Sequence, residues 1–305
     1  MNFALRTNDD FVVREVIDDK FLRKFERTSS GVRLVKGRYS LYLMMKSGEN
    51  TRDVIRKICE RTGARDVGYA GLKDKNAVTY QYITVKDSSF DDLDMGNISV
   101  SFVSKTANHI SVGDLKGNDF EITLHECTEI EKLEDFARSV RDEGFYNFFG
   151  RQRFGVNADN YMIGRCMVKG DMKKAGKAVE CQTGKGMSSL QKAEIKFFIH
   201  SYQSWIFNCV LQKCIENRNV PVKLPLVGYG SRIQNPFMKS FLAMEGVSPD
   251  DFMLRGMRIC CRGSERQTRV KTTVSYAIKN STALLKFFLP KGSYATVLLD
   301  EMKKM

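Results

Sequence analysis

Runs of β-branched and aromatic residues crowd both ends of this chain and thin out in its middle, and that distribution limits the fold more than any other feature. Residues 10–17 (DFVVREVI), 38–46, 67–72, 79–85, 98–104, 110–112 and 120–124 read as strands. Strands return at 257–261, 268–275 and 284–289. Two helices interrupt the first group. Asn50 caps one, whose apolar positions Val54, Ile55, Ile58 and Cys59 share a face and which Gly63 ends. Thr128 and Glu131 form a capping box for the other, with Ile130, Leu133, Phe136, Ala137 and Val140 apolar and Gly144 closing it. Beyond residue 155 the texture turns helical. Residues 188–216 hold one long helix or two shorter ones, residues 217–257 contain four of the five prolines, and residues 293–304 read as a closing helix. Strands and helices mix without βαβ alternation. The expected class is therefore α+β, with a mixed, mainly antiparallel sheet and a helical excursion inserted between two halves of the sheet domain.

The chain has 305 residues, which suits one large domain or two ordinary ones. Lys and Arg exceed Asp and Glu by 13. A surplus of that size suits a polyanion, through phosphate contact and counterion release. Charge alone does not separate RNA from DNA or from an anionic membrane, or from a protein that is merely basic. Seven of the cations crowd residues 20–38 (Lys20, Arg23, Lys24, Arg27, Arg33, Lys36, Arg38). Residues 1–6 turn polar at once and no apolar run reaches membrane-spanning length, so a cytoplasmic protein with no membrane association is expected. The eight cysteines form no C-x-x-C and only three histidines are present, so the close ligand pairs of a zinc site are missing. Buried reduced thiols and no bound metal are the expectation.

Two segments carry candidate chemistry. In residues 68–81 (GYAGLKDKNAVTYQ), Gly68 and Gly71 permit close backbone approach, and Asp74 stands between Lys73 and Lys75. On an extended backbone the two lysines point away from the face Asp74 uses, free to hold phosphates while the carboxylate faces a pocket. A solvated turn of mixed charge has the same appearance. In residues 147–155 (NFFGRQRFG), aromatics interleave with Arg and Gln, a pattern that suits single-stranded nucleic acid and equally suits phenylalanines packing beside a helix end. A third segment, residues 113–120 (GDLKGNDF), reads as an ordinary turn into a strand.

In one order along nearly the whole chain, these segments resemble the pseudouridine synthase D (TruD) family of tRNA pseudouridine-13 synthases. Residues 10–15 are similar to the family's DFxVxE, and Lys46 with Gly48, Asn50 and Thr51 to its next element. Residues 71–81 resemble its catalytic GxKDxxAxTxQ, 115–120 its LxGNxF, and 147–155 its NxFGxQRFG. Ser204, Phe207 and Asn208 resemble its SxLFN helix, with Trp205 and Ile206 replacing the usual residues between, and residues 289–296 its LPxGSYAT. Residues 263–269 match the family's Arg-bearing segment loosely, and the region of its insertion domain looks short.

The resemblance implies a pseudouridine synthase catalytic domain formed by residues 1–155 and 262–305, divided into two halves around an RNA cleft. Residues 156–261 then hold return helices and a compact, mostly helical TRUD insertion domain. It implies isomerisation of a tRNA uridine, U13, to pseudouridine by an aspartate, Asp74, without metal or organic cofactor, in a monomer. Phe149 matches the aromatic that stacks on the flipped base, and Asn147 an asparagine that hydrogen-bonds near the carboxylate. Arg266 is the expected cation holding Asp74 ionised. Lys73, Lys75, Arg151 and Arg153 are expected on phosphates, and Glu15 and Lys46 match family positions that serve RNA binding or structural ion pairs. The rivals are the same chemistry at another RNA site and a non-catalytic RNA-binding protein.

Overall fold

The computed structural model describes residues 1–305 apart from Lys24, Ser29, Ser30, Val35, Lys36, Val156 and Met305, and apart from the side chains of residues 25–28 and 31–34. Two of the seven cations of the basic segment, Lys24 and Lys36, lie outside the described residues, as do the side chains of Arg27 and Arg33. The chain forms two compact units: Met1–Gly144 with Lys271–Ala295 and Glu301–Met305, and Phe145–Val270 with Thr296–Asp300.

The first unit opens with β1 (Phe11–Ile17), α1 (Asp19–Leu22) and a hairpin of β2 (Phe25–Thr28) and β3 (Gly31–Leu34). It continues through β4 (Tyr39–Ser47), α2 (Thr51–Thr62), β5 (Val67–Tyr69), β6 (Val78–Lys86), β7 (Leu93–Asp94), β8 (Ile98–Thr106), β9 (Leu115–Leu124) and α3 (Lys132–Asp142). The second holds β10 (Phe145–Tyr146), α4 (Asn160–Val168), α5 (Met172–Thr183), α6 (Lys192–Glu216), β11 (Lys223–Leu226), α7 (Pro236–Glu245), β12 (Met253–Leu254), β13 (Ile259–Cys260), β14 (Ser264–Gln267) and β15 (Arg269–Val270). The chain then adds β16 (Ser275–Lys279) and β17 (Thr282–Pro290) to the first unit and ends in α8 (Ala295–Lys303).

One nine-stranded sheet organises the first unit, in the order β16-β17-β9-β1-β6-β4-β8-β7 with β5 also on β6. Its described pairings are antiparallel except β1 with β6. Because β1 takes Val78 to Tyr80 of β6 and β5 takes Ile83 to Val85, the two strands share one edge of β6. The chain leaving β5 therefore finds the lane beside the start of β6 already occupied. Residues 70–77 must lift out of the sheet to reach Val78, and that excursion is the loop carrying Asp74.

Helix α2 covers this face. Val54 and Ile58 pack on Tyr42, Met44, Ile83, Val85, Ile98 and Val100. Asn50 is the N-cap residue as expected, but its side chain caps no backbone group and donates to Asp53 instead. Gly63 ends the helix in the left-handed region, at φ +73°. Two expectations fail in this unit. The capping box of Thr128 and Glu131 does not form, because the Thr128 hydroxyl accepts from the Asn2 amide and the helix starts only at Lys132. Residues 110–112 are not a strand, since the Ile110 amide bonds the Thr84 hydroxyl rather than a ladder partner.

In the second unit the stretch read as one helix or two is the single helix α6, 25 residues and about 37 Å long. It is buried on several faces, with Ile195, Phe198, Ile199, Tyr202, Ile206, Phe207, Val210 and Leu211 all in the core of the unit. A helix surrounded by its own domain has no single apolar stripe to display. All eight cysteines are free thiols; Cys214 and Cys261 are buried and Cys181 is exposed.

Candidate active site

The Asp74 loop is held from four directions. Strand registers place Lys46 opposite Thr79 and Met44 opposite Gln81, so Lys46 and Gln81 continue the face that Tyr42, Met44 and Ile83 turn toward α2. Gln81 Nε2 donates to Gly71 O at 2.5 Å. The Lys73 amide donates to Thr51 Oγ1, on the first turn of α2, at 3.0 Å. Lys73 Nζ lies 2.7 Å from Glu15 Oε2 and donates to Asn118 Oδ1 at 2.6 Å. Glu15 and Asn118 face each other across the β1–β9 ladder, which is why one ammonium reaches both. Lys46 Nζ donates to the carbonyl of Asp74 itself at 2.7 Å and to that of Glu49 at 2.9 Å.

Two of these holds, by Lys46 and by the Lys73 ammonium, are charged and buried. Lys46 is fully buried, and burial pushes its ammonium down to about 8, although the Asp74 charge works the other way. The Lys73 side chain is 6% exposed and that of Glu15 0%. Burial raises the Glu15 carboxyl above its ordinary value while Lys73 pulls it back. A buried pair of this kind is costly to assemble and costlier to leave half-made. Its return is a fixed backbone beneath Asp74, which is itself half-buried beside exposed Lys75 and Asn76.

In the second unit, β10 pairs with β15 and delivers Asn147 to a buried position where every polar group is used. Its amide donates to Thr268 O at 2.9 Å and its Nδ2 to Gln267 O at 3.0 Å. Its Oδ1 and its carbonyl accept from Arg266 Nη2 and Nε, at 2.8 and 3.0 Å. The Arg266 guanidinium lies over the Phe149 ring, 3.9 Å from its centroid, and Phe207 meets that ring edge-on at 5.6 Å. The Phe149 backbone is clamped by one side chain: Asn208 Oδ1 accepts its amide at 2.8 Å and Asn208 Nδ2 donates to its carbonyl at 3.0 Å. Ser201 and Ser204 of α6 hold Arg153 by its carbonyl and its Nε. Burial, with Arg153 and Lys196 nearby, lowers His200 to about 4, so it stays neutral at pH 7.

The family model for tRNA pseudouridine synthase D (TruD) matches residues 4–195 and 212–302. The chain belongs to this family. It is an RNA pseudouridine synthase, an isomerase. The tRNA pseudouridine synthase D of a Nitratiruptor species is 29% identical over 331 residues, covering 87% of this chain and 88% of that protein. That of an Anaeromyxobacter species is also 29% identical, covering 87% and 85%. A crystal structure from Methanosarcina mazei, assigned to tRNA pseudouridine synthase D, superposes with a TM-score of 0.68 at 21% identity, over 98% of this chain and 93% of its own. That likeness shows the α+β fold of the TruD family.

The TruD motif residues fall into the two clusters just described. Glu15, Lys46, Lys73 and Asp74 meet in the first unit; Asn147, Phe149, Arg153 and Arg266 meet in the second. Lys75 and Arg151 are exposed. Three residues of the expected site have buried charged groups. Lys73 Nζ is turned inward to Glu15 and Asn118, and Lys46 and Glu15 are interior. Arg266, expected as the cation for Asp74, donates to Asn147 and to the Phe148 carbonyl, and Lys46 donates to the Asp74 carbonyl. Thr51, Asn118 and Asn208 stood inside recognised motifs without a role. Polar residues on otherwise apolar strand or helix faces are the signal that marks them. Among the described residues no group of three or more His, Cys, Asp or Glu could hold a metal ion, and no helix is long and apolar enough to cross a membrane.

Proposed function

We propose that this enzyme converts a tRNA uridine, U13, to pseudouridine with Asp74 as its catalytic carboxylate, without metal or organic cofactor. The observation that carries the reading is the fourfold hold on residues 71–74, which fixes the backbone around one half-buried carboxylate. Preorganisation of this kind is what a reaction with a single catalytic carboxylate requires. The C1′–N1 bond breaks, the uracil turns, C1′ bonds C5, the C5 proton leaves to solvent, and N1 takes up a proton in its place. Asp74 serves either as nucleophile at C1′ or as the group that assists cleavage and then takes a sugar proton. Phe149 stacks on the extruded base, with Arg266 and Asn147 fixing the ring's position. Lys75, Arg151 and Arg153 take phosphates, while Lys46, Lys73 and Glu15 position the loop. Residues 1–155 and 262–305 form the catalytic domain, and 156–261 the return helices and shortened insertion domain, working on tRNA in the cytoplasm.

The test is tritium release from tRNA labelled at uridine C5, with wild type beside Asp74→Asn, followed by mapping of the product. Release at U13 by wild type, lowered by Asp74→Asn at least about 10³-fold, is expected. Release at another position moves the target and leaves the chemistry standing. Equal release by both proteins removes Asp74 from its role. Salt-sensitive RNA binding with no release from any RNA makes the chain a binding protein.

A further inference from the structure

The same loop that fixes Asp74 also holds an apolar side chain out in water. Leu72 is 60% exposed. Its backbone is pinned on both sides, by Gln81 on Gly71 O and by Thr51 on the Lys73 amide, so the exposure is imposed by the loop. A second loop stands beside it, with Gly113 N donating to Ala70 O at 2.8 Å. That loop carries Val112, at 81% the most exposed large hydrophobic among the described residues. Lys291 Nζ ties it down through Gly113 O at 3.1 Å, and the Asp114 carboxylate accepts the Ser111 amide. Two apolar tips thus stand on adjoining, immobilised loops. The exposed cations Lys75 and Lys291, which have no carboxylate within ion-pair distance among the described residues, flank them.

One exposed leucine is ordinary. An apolar pair beside a carboxylate, bordered by exposed ammoniums that no carboxylate neutralises among the described residues, fits a polyanion whose interior is flat and apolar, a stack of nucleobases. A uridine must leave its stack to be reached, and the gap it leaves closes again unless something fills it. We propose that Leu72, backed by Val112, is the wedge that enters the base stack vacated by the target uridine while Lys75 and Lys291 hold the flanking phosphates. This rests on the assignment of Asp74 as the catalytic carboxylate.

The experiment uses the full chain as wild type, Leu72→Ala, Leu72→Met and Asp74→Asn. Single-turnover tritium release is measured on intact labelled tRNA and on the same RNA with an abasic site next to the target, where little stacking has to be broken. Fluorescence of 2-aminopurine placed beside the target reports unstacking without chemistry. Leu72→Ala is expected to slow release roughly 10-fold or more on intact RNA and to recover to within about 3-fold of wild type on the abasic RNA. Leu72→Met restores the rate. Wild type and Asp74→Asn raise the fluorescence, and Leu72→Ala does not. An equal loss on both RNAs makes Leu72 a shaper of the loop and overturns the wedge, as does no loss on either. If wild type releases no tritium from any RNA, the assigned reaction falls, and the fluorescence difference between wild type and Leu72→Ala still decides for or against the wedge.

Discussion

The loop bearing Asp74 and the loop bearing Phe149 solve one problem by opposite means. At Asp74 two of the four holds are charged and taken out of water: Lys46 on the carbonyl of Asp74, and Lys73 between Glu15 and Asn118. At Phe149 the backbone is held by neutral groups, the clamp of Asn208 and the saturated amide of Asn147, and the guanidinium of Arg266 spreads its charge over the aromatic face. A buried ammonium gives a stiff hold whose strength depends on its proton and on its counter-charge. Amides and rings give a hold that neither pH nor salt moves much. The first scaffold suits a carboxylate whose charge must be set, and the second a ring whose place must be set.

The largest expected effect comes from splitting the buried pair. Lys73→Met leaves Glu15 alone in the interior and should cost about 3–5 kcal/mol in urea unfolding. Adding Glu15→Gln should recover most of that loss, because the orphaned charge is gone. A single-variant cost below about 1 kcal/mol would mean that charge does not hold this loop. The matching cut in the second unit is Asn208→Ala, which removes both bonds to the Phe149 backbone. It should cost about 1–3 kcal/mol, with the same value at low and high salt. A strong salt dependence there would erase the contrast between the loops.

How much of this could be read from residues alone differs between the loops for a physical reason. The Asp74 turn stood out through its glycines and flanking strands, yet its internal geometry did not. Strand alternation sends Lys73 to the side of Lys75, but residues 70–77 leave the sheet because β1 occupies the adjacent lane, and alternation lapses once the backbone is no longer extended. That parallel β1–β6 pairing joins segments far apart in the chain, and no local pattern reports it. Helix α6 was visible as helical texture, while its burial on several faces hid whether it was one helix or two. The role of Asn208 depends on a loop 59 residues away, so only its odd polarity amid Phe207 and Val210 gave a hint.

A third test separates the loops by pH. Lys46, lowered to about 8 by burial, should give activity an alkaline limb near that pH, falling toward tenfold per unit above it. Unfolding does not explain such a limb. The unfolded chain keeps this proton up to the ordinary lysine value of 10.5, so between about 8 and 10.5 the unfolded state binds more protons and this group's contribution to stability rises with pH. Lys46→Arg stays charged and should move the limb upward if it folds into the same site. Unchanged activity through pH 9 in wild type would show that the Asp74 carbonyl does not need a charged donor.

The smallest effect bears on the sharpest claim, that neighbouring lysines in one loop do different work. Lys75→Ala and Arg151→Ala should each weaken tRNA binding a few-fold and reduce the slope of log affinity against log salt by about 1, the signature of one lost phosphate contact. Lys73→Met, measured at a temperature where it remains folded, should leave that slope unchanged, because an ammonium held at 2.7 Å from Glu15 and 6% exposed releases no counterion from RNA. If Lys73→Met lowers the slope as much as Lys75→Ala does, Lys73 meets the RNA in the complex, the pair with Glu15 opens on binding, and the Asp74 loop is a switch closed by the substrate rather than a scaffold built before it arrives.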